Sequence, residues 1–341
     1  MRAESSDYGS DAAAFLEAAA ETLQGGKRLR ARFCHAGWRS VAQFADRRPM
    51  DDETLWDVCA ALEIFQSAAL VHDDIIDNSD TRRGRPAAHR ALEKAHRAAE
   101  WTGDPAAFGR AAAILLGDLL VAWSDDLLES GLLGHPRADA VRAEYARMRR
   151  DVTTGQFLDI AEESAWSVND AATHAARALR VISLKSARYS IEQPLLLGAV
   201  LAGADQDQQS ALRSFGRPLG MAFQLRDDVL GVFGDASVTG KPAGDDLREG
   251  KRTVLVALTR ETLDEASRQD LDDLLGDPGL TPDQVATVQS MIRDSGALAR
   301  VEALISAYTR EADDALADAR LDPAAVADLR DLAQAATVRS A

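Results

Sequence analysis

The stretch from Ala68 to Arg85, AALVHDDIIDNSDTRRGR, constrains this chain more than any other. It sets Asp73, Asp74, Asp77 and Asp80 against Arg82, Arg83 and Arg85. An α-helix turns about 100° per residue, so Asp73 and Asp77 stack on one face with Asp74 beside them. Carboxylates that converge within one turn repel each other. A hard cation such as Mg²⁺ relieves that repulsion and keeps positions for water and phosphate oxygens. The arginines just beyond are fork-shaped donors suited to phosphate, and the whole reads as a diphosphate clamp. Alone, the run reads equally well as a solvated acidic helix end followed by a basic loop. A second carboxylate pair shifts the balance. Asp227 and Asp228 stand in FQLRDDVLGVFGD, about 150 residues further on, with GKPAGDDLREGKRT following from Gly240 to Thr253.

With 341 residues the chain can bury a large core. Its 39 basic and 55 acidic residues leave a net charge of −16, a poor match for nucleic acid or an anionic membrane surface. Alanine and leucine dominate and aromatics are 5%, which favours helices throughout. Cys34 and Cys59 lack CxxC spacing and suit small buried residues of a reducing compartment. The N-terminal MRAESSDYGS has no apolar signal-peptide core. The apolar run near Leu195 is too short to span a bilayer, and Ile114–Trp123 is interrupted by Asp118. A cytoplasmic protein without membrane insertion is the expectation.

Periodicity predicts helices over 11–24, 53–77, 110–130, 137–163, 171–190, 193–202, 207–234 and 254–267, with loops over 45–52 and 101–109. Gly25–Gly26 ends the first helix, and KRLRAR follows. Cations directly after two glycines, where backbone N–H groups are free, offer a phosphate cradle, although a basic helix start would look the same. Gln156 and Asp159 share a helix face. Lys185, on a mostly apolar helix, either snorkels outward or meets an anion. His72 and His89 read as packing or hydrogen-bonding residues.

Five motifs now stand in order: GGKRLRARF from Gly25, LVHDDIIDNSDTRRGRP from Leu70, TGQFLD from Thr154, SLKSARYS from Ser183, and FQLRDDVLGVFGD with GKPAGDDLREGKRT from Phe223. Over roughly Phe15 to Thr253 the chain resembles the trans-isoprenyl diphosphate synthases (polyprenyl synthetases). The resemblance implies head-to-tail condensation of isopentenyl diphosphate with an allylic diphosphate (dimethylallyl, geranyl or farnesyl). It implies three Mg²⁺ per active site and a homodimer. Asp73, Asp74 and Asp77 would form one metal cluster, and Asp227 and Asp228 the other. Gly26, Lys27, Arg30 and Arg83 would bind isopentenyl diphosphate, assisted by Gln66, where family members commonly carry a His. Arg82, Lys185, Ser186, Gln224, Lys241 and Lys251 would face the allylic diphosphate, with the Gln156–Asp159 segment nearby. Asp73, Asp74, Lys185, Gln224 and Asp227 would carry the catalysis. One departure stands out: the third aspartate of the second motif is replaced by Gly231, and Asp235 lies further along.

The growing tail is expected to run down the helix that bears Asp73. One turn below lie Ala68 and Ala69, both small; two turns below lies Phe65, and three below, Leu62. An isoprene unit is about as long as one ~5.4 Å helical turn. A tail that passes the alanines and stops at Phe65 has about 20 carbons, as in geranylgeranyl diphosphate; a farnesyl or longer product is the alternative. A class I terpene cyclase would need an N-x-x-x-S-x-x-x-E cluster, but Asn169 is followed by Thr173 and then Arg177. A non-catalytic subunit of a heteromeric synthase would usually have lost one aspartate cluster, and an all-α interaction protein would not need diphosphate motifs. The expected fold is all-α: a single-domain isoprenoid-synthase helical bundle over residues 1–341, about a dozen helices around a deep central cavity. The acidic clusters would face each other near its mouth, and the order of 1–10 and 335–341 is left open.

Overall fold

The computed structural model describes residues 8–9, 12–42, 52–234 and 243–337. Among these, fifteen α-helices and one two-stranded antiparallel sheet make up the regular structure, together with short 3₁₀ and π segments, so the all-α expectation holds. The chain divides into two compact units. One comprises the described residues of Met1–Ala31 and Asp52–Leu133, the other those of Arg32–Asp51 and Gly134–Ala341.

The first unit contains α1 (Ala13–Thr22), the start of α2 (Leu29–Ala42), α3 (Asp52–Ile76), β1 (Thr81–Arg82), β2 (Arg85–Pro86), α4 (Ala88–Ala98) and α5 (Pro105–Gly131). Its core gathers Ala18, Ala19, Ala68, Val71, Leu92, Leu116 and Leu120 from α1, α3, α4 and α5. Small residues seven apart let α5 lie close along α3. A Cβ on Gly117 would meet His72 Nε2 at 2.1 Å, and one on Gly131 would meet the Asp57 Cβ at 2.5 Å. Between them Ser124 Oγ donates to the Ala61 carbonyl at 2.6 Å. The loop expected over 101–109 is shorter than that, because Asp104 caps the Ala106 N–H and Pro105 opens α5. α4 and the hairpin were not foreseen. Both α3 and α5 are long and apolar enough to cross a membrane by length and composition, and they are the two helices on which this core is built.

The second unit holds the rest of α2, then α6 (Ala138–Ala165), a 3₁₀ turn (Ala171–Thr173), α7 (His174–Val181), a π-helical stretch (Ile182–Glu192), α8 (Gln193–Ala202) and α9 (Gln206–Phe233). It continues with α10 (Asp245–Glu249), α11 (Val254–Thr262), α12 (Glu265–Leu274), α13 (Pro282–Asp294), α14 (Ala297–Ala315) and α15 (Pro323–Thr337). α9 starts at a capping box in which the Gln208 N–H donates to Asp205 Oδ1 at 2.8 Å and the Asp205 N–H to Gln208 Oε1 at 3.1 Å. The helix expected over 171–190 is thus a composite, and that over 254–267 is two helices. Its core packs Leu225, Val229 and Val232 of α9 against Val254, Leu255 and Leu258 of α11 and Val301 and Ile305 of α14. Both cysteines are buried, and neither is in a disulfide.

Candidate active site

In the first unit the polar centre lies at the C-terminal end of α3. Asp73 and Asp74 are within its last turn, and the Asp77 N–H still bonds the Asp73 carbonyl at 2.8 Å. Beyond it the chain doubles back. Thr81↔Pro86 and Arg82↔Arg85 pair, which leaves Arg83–Gly84 as a two-residue turn. Both turn residues have positive φ, 54° and 72°, as a type I′ hairpin requires. The hairpin sends its arginines in different directions. Arg82 Nε donates to Asp74 Oδ1 at 2.7 Å, Nη2 donates to the same oxygen, and Nη2 also reaches Asp73 Oδ2 at 3.4 Å. Arg83 Nη1 donates to the Gln24 carbonyl, and Arg85 Nη1 to Gln24 Oε1, each at 3.1 Å.

The glycine-rich turn is therefore brought to the arginine hairpin. A Cβ on Gly26, whose φ is 81°, would meet the Arg83 guanidinium at 2.7 Å, so glycine is required there on two counts. Lys27 follows on the exposed side, and Arg30 lies in the first turn of α2. Arg28, which the motif reading passed over, sits at φ 50°, donates to the Leu23 carbonyl and pairs with Glu63 Oε2 at 3.5 Å. Glu63 Oε1 accepts the Ala31 N–H at 3.1 Å and so ties the first turn of α2 to α3. Partial desolvation of its guanidinium, then the charges of Arg28 and Arg82, push the Arg83 pKa below the usual arginine range, with Glu63 opposing. Crowded guanidiniums are what an anion relieves.

Gln66 is half-buried on α3. Phe65, Ala69 and Asp73 stand four residues apart and form one helical row. Phe65 is 7% exposed and Ala69 is half-buried, but Ala68 is 1% exposed and packed in the core with Val71 and Leu116. The expectation that both alanines line one path is therefore narrowed to Ala69.

In the second unit the motifs converge on the π-helical stretch. A Cβ on Gly155 would stand 2.4 Å from the Lys185 backbone nitrogen, and one on Gly220 would stand 2.5 Å from the Ala187 carbonyl oxygen. The wide turn is accommodated because α6 and α9 each present a glycine to it. Stretches of π-helix are uncommon and frequent at functional sites. Lys185 Nζ donates to Asp159 Oδ2 at 2.5 Å, which joins TGQFLD to SLKS. Ser186 Oγ donates to Gln224 Oε1 at 2.6 Å, and Gln224 Nε2 to Asp228 Oδ1 at 2.8 Å. Asp227 lies beside Asp228 on α9, partly exposed. Lys251 Nζ is 2.5 Å from Glu249 Oε2 and 3.6 Å from Asp246 Oδ1, so it stays near the acidic group although it pairs with these neighbours. Lys241 and Asp235 lie outside the described residues. Arg177, where a cyclase would need a carboxylate, donates to Glu162 at 2.8 Å instead.

Asp228 is 5% exposed, and its Oδ2 has no hydrogen-bond partner. Burial foremost, then the charges of Asp246 and Asp227, push its pKa up to about 8, against the opposing Gln224 hydrogen bond and Lys251. Among the described residues no three His, Cys, Asp or Glu side chains enclose a metal ion by themselves. Both acidic groups nevertheless fit a divalent cation. All donors are carboxylate oxygens, one buried oxygen is unmatched, and Mg²⁺ is ordinarily held by one or two carboxylates plus substrate phosphates.

The chain matches the family model Polyprenyl synthetase over residues 13–292, across both units. It superposes on a geranylgeranyl pyrophosphate synthase from Corynebacterium glutamicum, solved with isoprenyl diphosphate and magnesium, with a TM-score of 0.92 and 40% identity, covering 98% of this chain and 93% of that one. It is 33% identical to the geranylfarnesyl diphosphate synthase of Aeropyrum pernix, covering 76% of this chain and 74% of the relative. It is 29% identical to a short chain isoprenyl diphosphate synthase of Methanocaldococcus jannaschii, covering 80% and 73%.

Proposed function

This chain belongs to the polyprenyl synthetase family and is a trans-prenyltransferase, and we propose that it condenses isopentenyl diphosphate head-to-tail with an allylic diphosphate up to geranylgeranyl diphosphate. The relatives' names span several product lengths, so the 20-carbon reading comes from this chain's own α3. The observation that carries it is the row Asp73, Ala69, Phe65: a small side chain one turn from the carboxylate and a buried phenyl ring two turns from it.

In the reaction the allylic C–O bond breaks and pyrophosphate departs with the bonding pair. The π electrons of isopentenyl diphosphate form the new C–C bond to the allylic cation. A proton then leaves to pyrophosphate and restores a double bond. Arg82 and Lys185 bind and orient the allylic diphosphate, with Ser186 and Gln224 beside Lys185. Arg83, Lys27 and Arg30 bind isopentenyl diphosphate around Gly26, and Gln66 adds a hydrogen bond. Asp73, Asp74, Asp77, Asp227 and Asp228 would hold Mg²⁺, three ions in this reading, which supplies Lewis-acid stabilisation of the leaving group. Lys241 and Lys251 belong to the proposal as further allylic contacts. Apolar helical walls keep water from the cation.

A homodimer is part of the proposal, supported by the outward apolar side of α5, where Ile114 is 48% and Leu115 61% exposed. A cytoplasmic location is also part of it. Purified protein with Mg²⁺, isopentenyl diphosphate and each allylic primer tests the function, with products sized by mass. A linear 20-carbon diphosphate supports it. Linear products of another length overturn the length alone, and cyclic hydrocarbons or no product overturn the activity.

A further inference from the structure

The link from Lys251 to Thr253 joins α10 to α11, and its two ends are held by the backbone. The Lys251 N–H bonds the Asp246 carbonyl at 3.0 Å, directly after Gly250 at φ 76°. Thr253 caps α11: its Oγ1 accepts the Val256 N–H at 3.4 Å, and its carbonyl accepts the Ala257 N–H at 2.9 Å. Arg252, between them, is held through its side chain. Its guanidinium carbon lies 5.1 Å from the centre of the Trp166 ring. Arg252 Nε and Nη1 are buried and have no hydrogen-bond partner, so the indole face takes the place of an acceptor.

Trp166 is itself fixed. It closes the C-terminal end of α6 and is 4% exposed. Its Nε1 donates to Asp272 Oδ1 at 3.0 Å, and the His174 ring stacks on the indole with the two planes 20° apart. Asp272 is held in turn by Arg260, whose Nε donates to Oδ2 at 3.0 Å. Asp159 and Trp166 stand two helical turns apart on α6 and so share a face. Asp159 meets Lys185. Arg252 goes to Trp166, while its neighbour Lys251 goes to Glu249 at 2.5 Å and Asp246 at 3.6 Å. Through these contacts α6 carries a support for each of two lysines assigned to the allylic diphosphate.

We propose that Trp166 and Arg252 are positioning residues: their cation–π contact pins the Lys251–Thr253 link to the end of α6 and so aims Lys251 at the allylic diphosphate. The proposal rests on the prenyltransferase reading and on the allylic role given there to Lys251. A leucine at position 166 would fill space but offer no π face, and the Arg252 nitrogens would be left buried and unmatched. The link would then shift to bring the guanidinium to water, and Lys251 would move with it. A phenylalanine at 166 keeps an aromatic face, and a lysine at 252 keeps a cation, so these two changes separate the contact from side-chain size.

Steady-state kinetics and limited trypsin digestion of the full chain test this, on variants that keep a cooperative melting curve. Arg252→Met keeps the length of the side chain and removes its charge. It should raise the KM for the allylic diphosphate by about 5- to 30-fold, the range of one desolvated cation–π contact, and leave the KM for isopentenyl diphosphate within about 2-fold. Trp166→Leu should do the same, and Trp166→Phe and Arg252→Lys markedly less. Added to Lys251→Ala, Arg252→Met should raise the allylic KM no further, because it acts through the lysine. Trypsin cleavage after Lys251, mapped by mass, should be about 5- to 30-fold faster in Arg252→Met and Trp166→Leu, since cleavage tracks the open population. A wild-type allylic KM in Arg252→Met overturns the proposal. So do losses that add to those of Lys251→Ala, equal losses for both substrates, or cleavage at the wild-type rate. If Trp166→Leu does not fold, Arg252→Met decides. The readings fail separately. A wild-type allylic KM in Lys251→Ala removes that lysine's assigned role and the proposal with it. A wild-type protein that makes no prenyl diphosphate sinks the enzymatic reading, while the cleavage rates still judge the anchor.

Discussion

Lys185 Nζ lies 2.5 Å from Asp159 Oδ2, an ion pair that links the π-helical stretch to α6. Both side chains are 22% exposed, so the pair is shielded enough to orient the lysine and open enough to be exchanged for an anionic ligand. Asp159→Asn should lower kcat/KM for the allylic substrate by about 10-fold, in line with the loss of one charge-assisted hydrogen bond of ~1.5 kcal/mol. Lys185→Ala should cost more, and the double variant no more than Lys185→Ala alone, because the aspartate acts through the lysine. Steady-state kinetics on the four proteins check this. Fully additive losses would contradict it.

Gly155 permits that pair to form. A methyl group there would stand 2.4 Å from the Lys185 nitrogen. Gly155→Ala should destabilise the fold by about 1–3 kcal/mol through overpacking and reduce turnover with it. Chemical denaturation reads the first effect and the condensation assay the second.

Arg82 holds Asp73 and Asp74, the carboxylates expected to take metal. In the free protein its guanidinium therefore competes with a cation. Arg82→Gln should raise the KM for the allylic diphosphate by about 10- to 100-fold, while Mn²⁺ binding without substrate becomes no weaker. A parallel loss of both would mean that Arg82 shapes the site without meeting the substrate.

The row on α3 makes a prediction about length. Ala69→Phe should shorten the main product by about one isoprene unit, and Phe65→Ala should lengthen it. Ala68→Phe should instead cost stability, about 1–3 kcal/mol, because Ala68 is packed in the core. Chromatography of radiolabelled products together with thermal melts separates the two alanines.

His174 is 1% exposed and stacks on Trp166 with centroids 3.8 Å apart. Burial foremost, then the charge of Arg260, lowers its pKa. The folded state thus binds the proton less readily than the unfolded chain. Its contribution is present above the unfolded value near 6.5 and lost as pH falls below it, at no more than about 1.4 kcal/mol per pH unit. His174→Phe should flatten the acid side of the stability profile below about pH 6.5.

Much of this was legible in the chain because it is local. Apolar spacing marked α3, α6 and α9, and the motifs named Asp73, Lys185 and Asp228 without any structure. The hairpin was missed because Arg83–Gly84 is an unusual pair for a type I′ turn, with an arginine at positive φ. The π-helical stretch has no distinct signature in apolar spacing; the nearest signals were Gly155 and Gly220, and their meaning lies in what they touch. Arg28 was masked by the basic residues around it. Trp166 was hidden most thoroughly. It stands in none of the five motifs, and only its contact with Arg252 exposes it.

The central claim of the proposed function is that Asp73 and Asp227 are each needed for pyrophosphate to leave. Rapid-quench measurement of pyrophosphate release from farnesyl diphosphate, with Mg²⁺ and isopentenyl diphosphate, tests it most directly. Asp73→Ala and Asp227→Ala, each with a native melting curve, should separately slow that release by at least about 100-fold. Release at the wild-type rate from either variant would contradict the account.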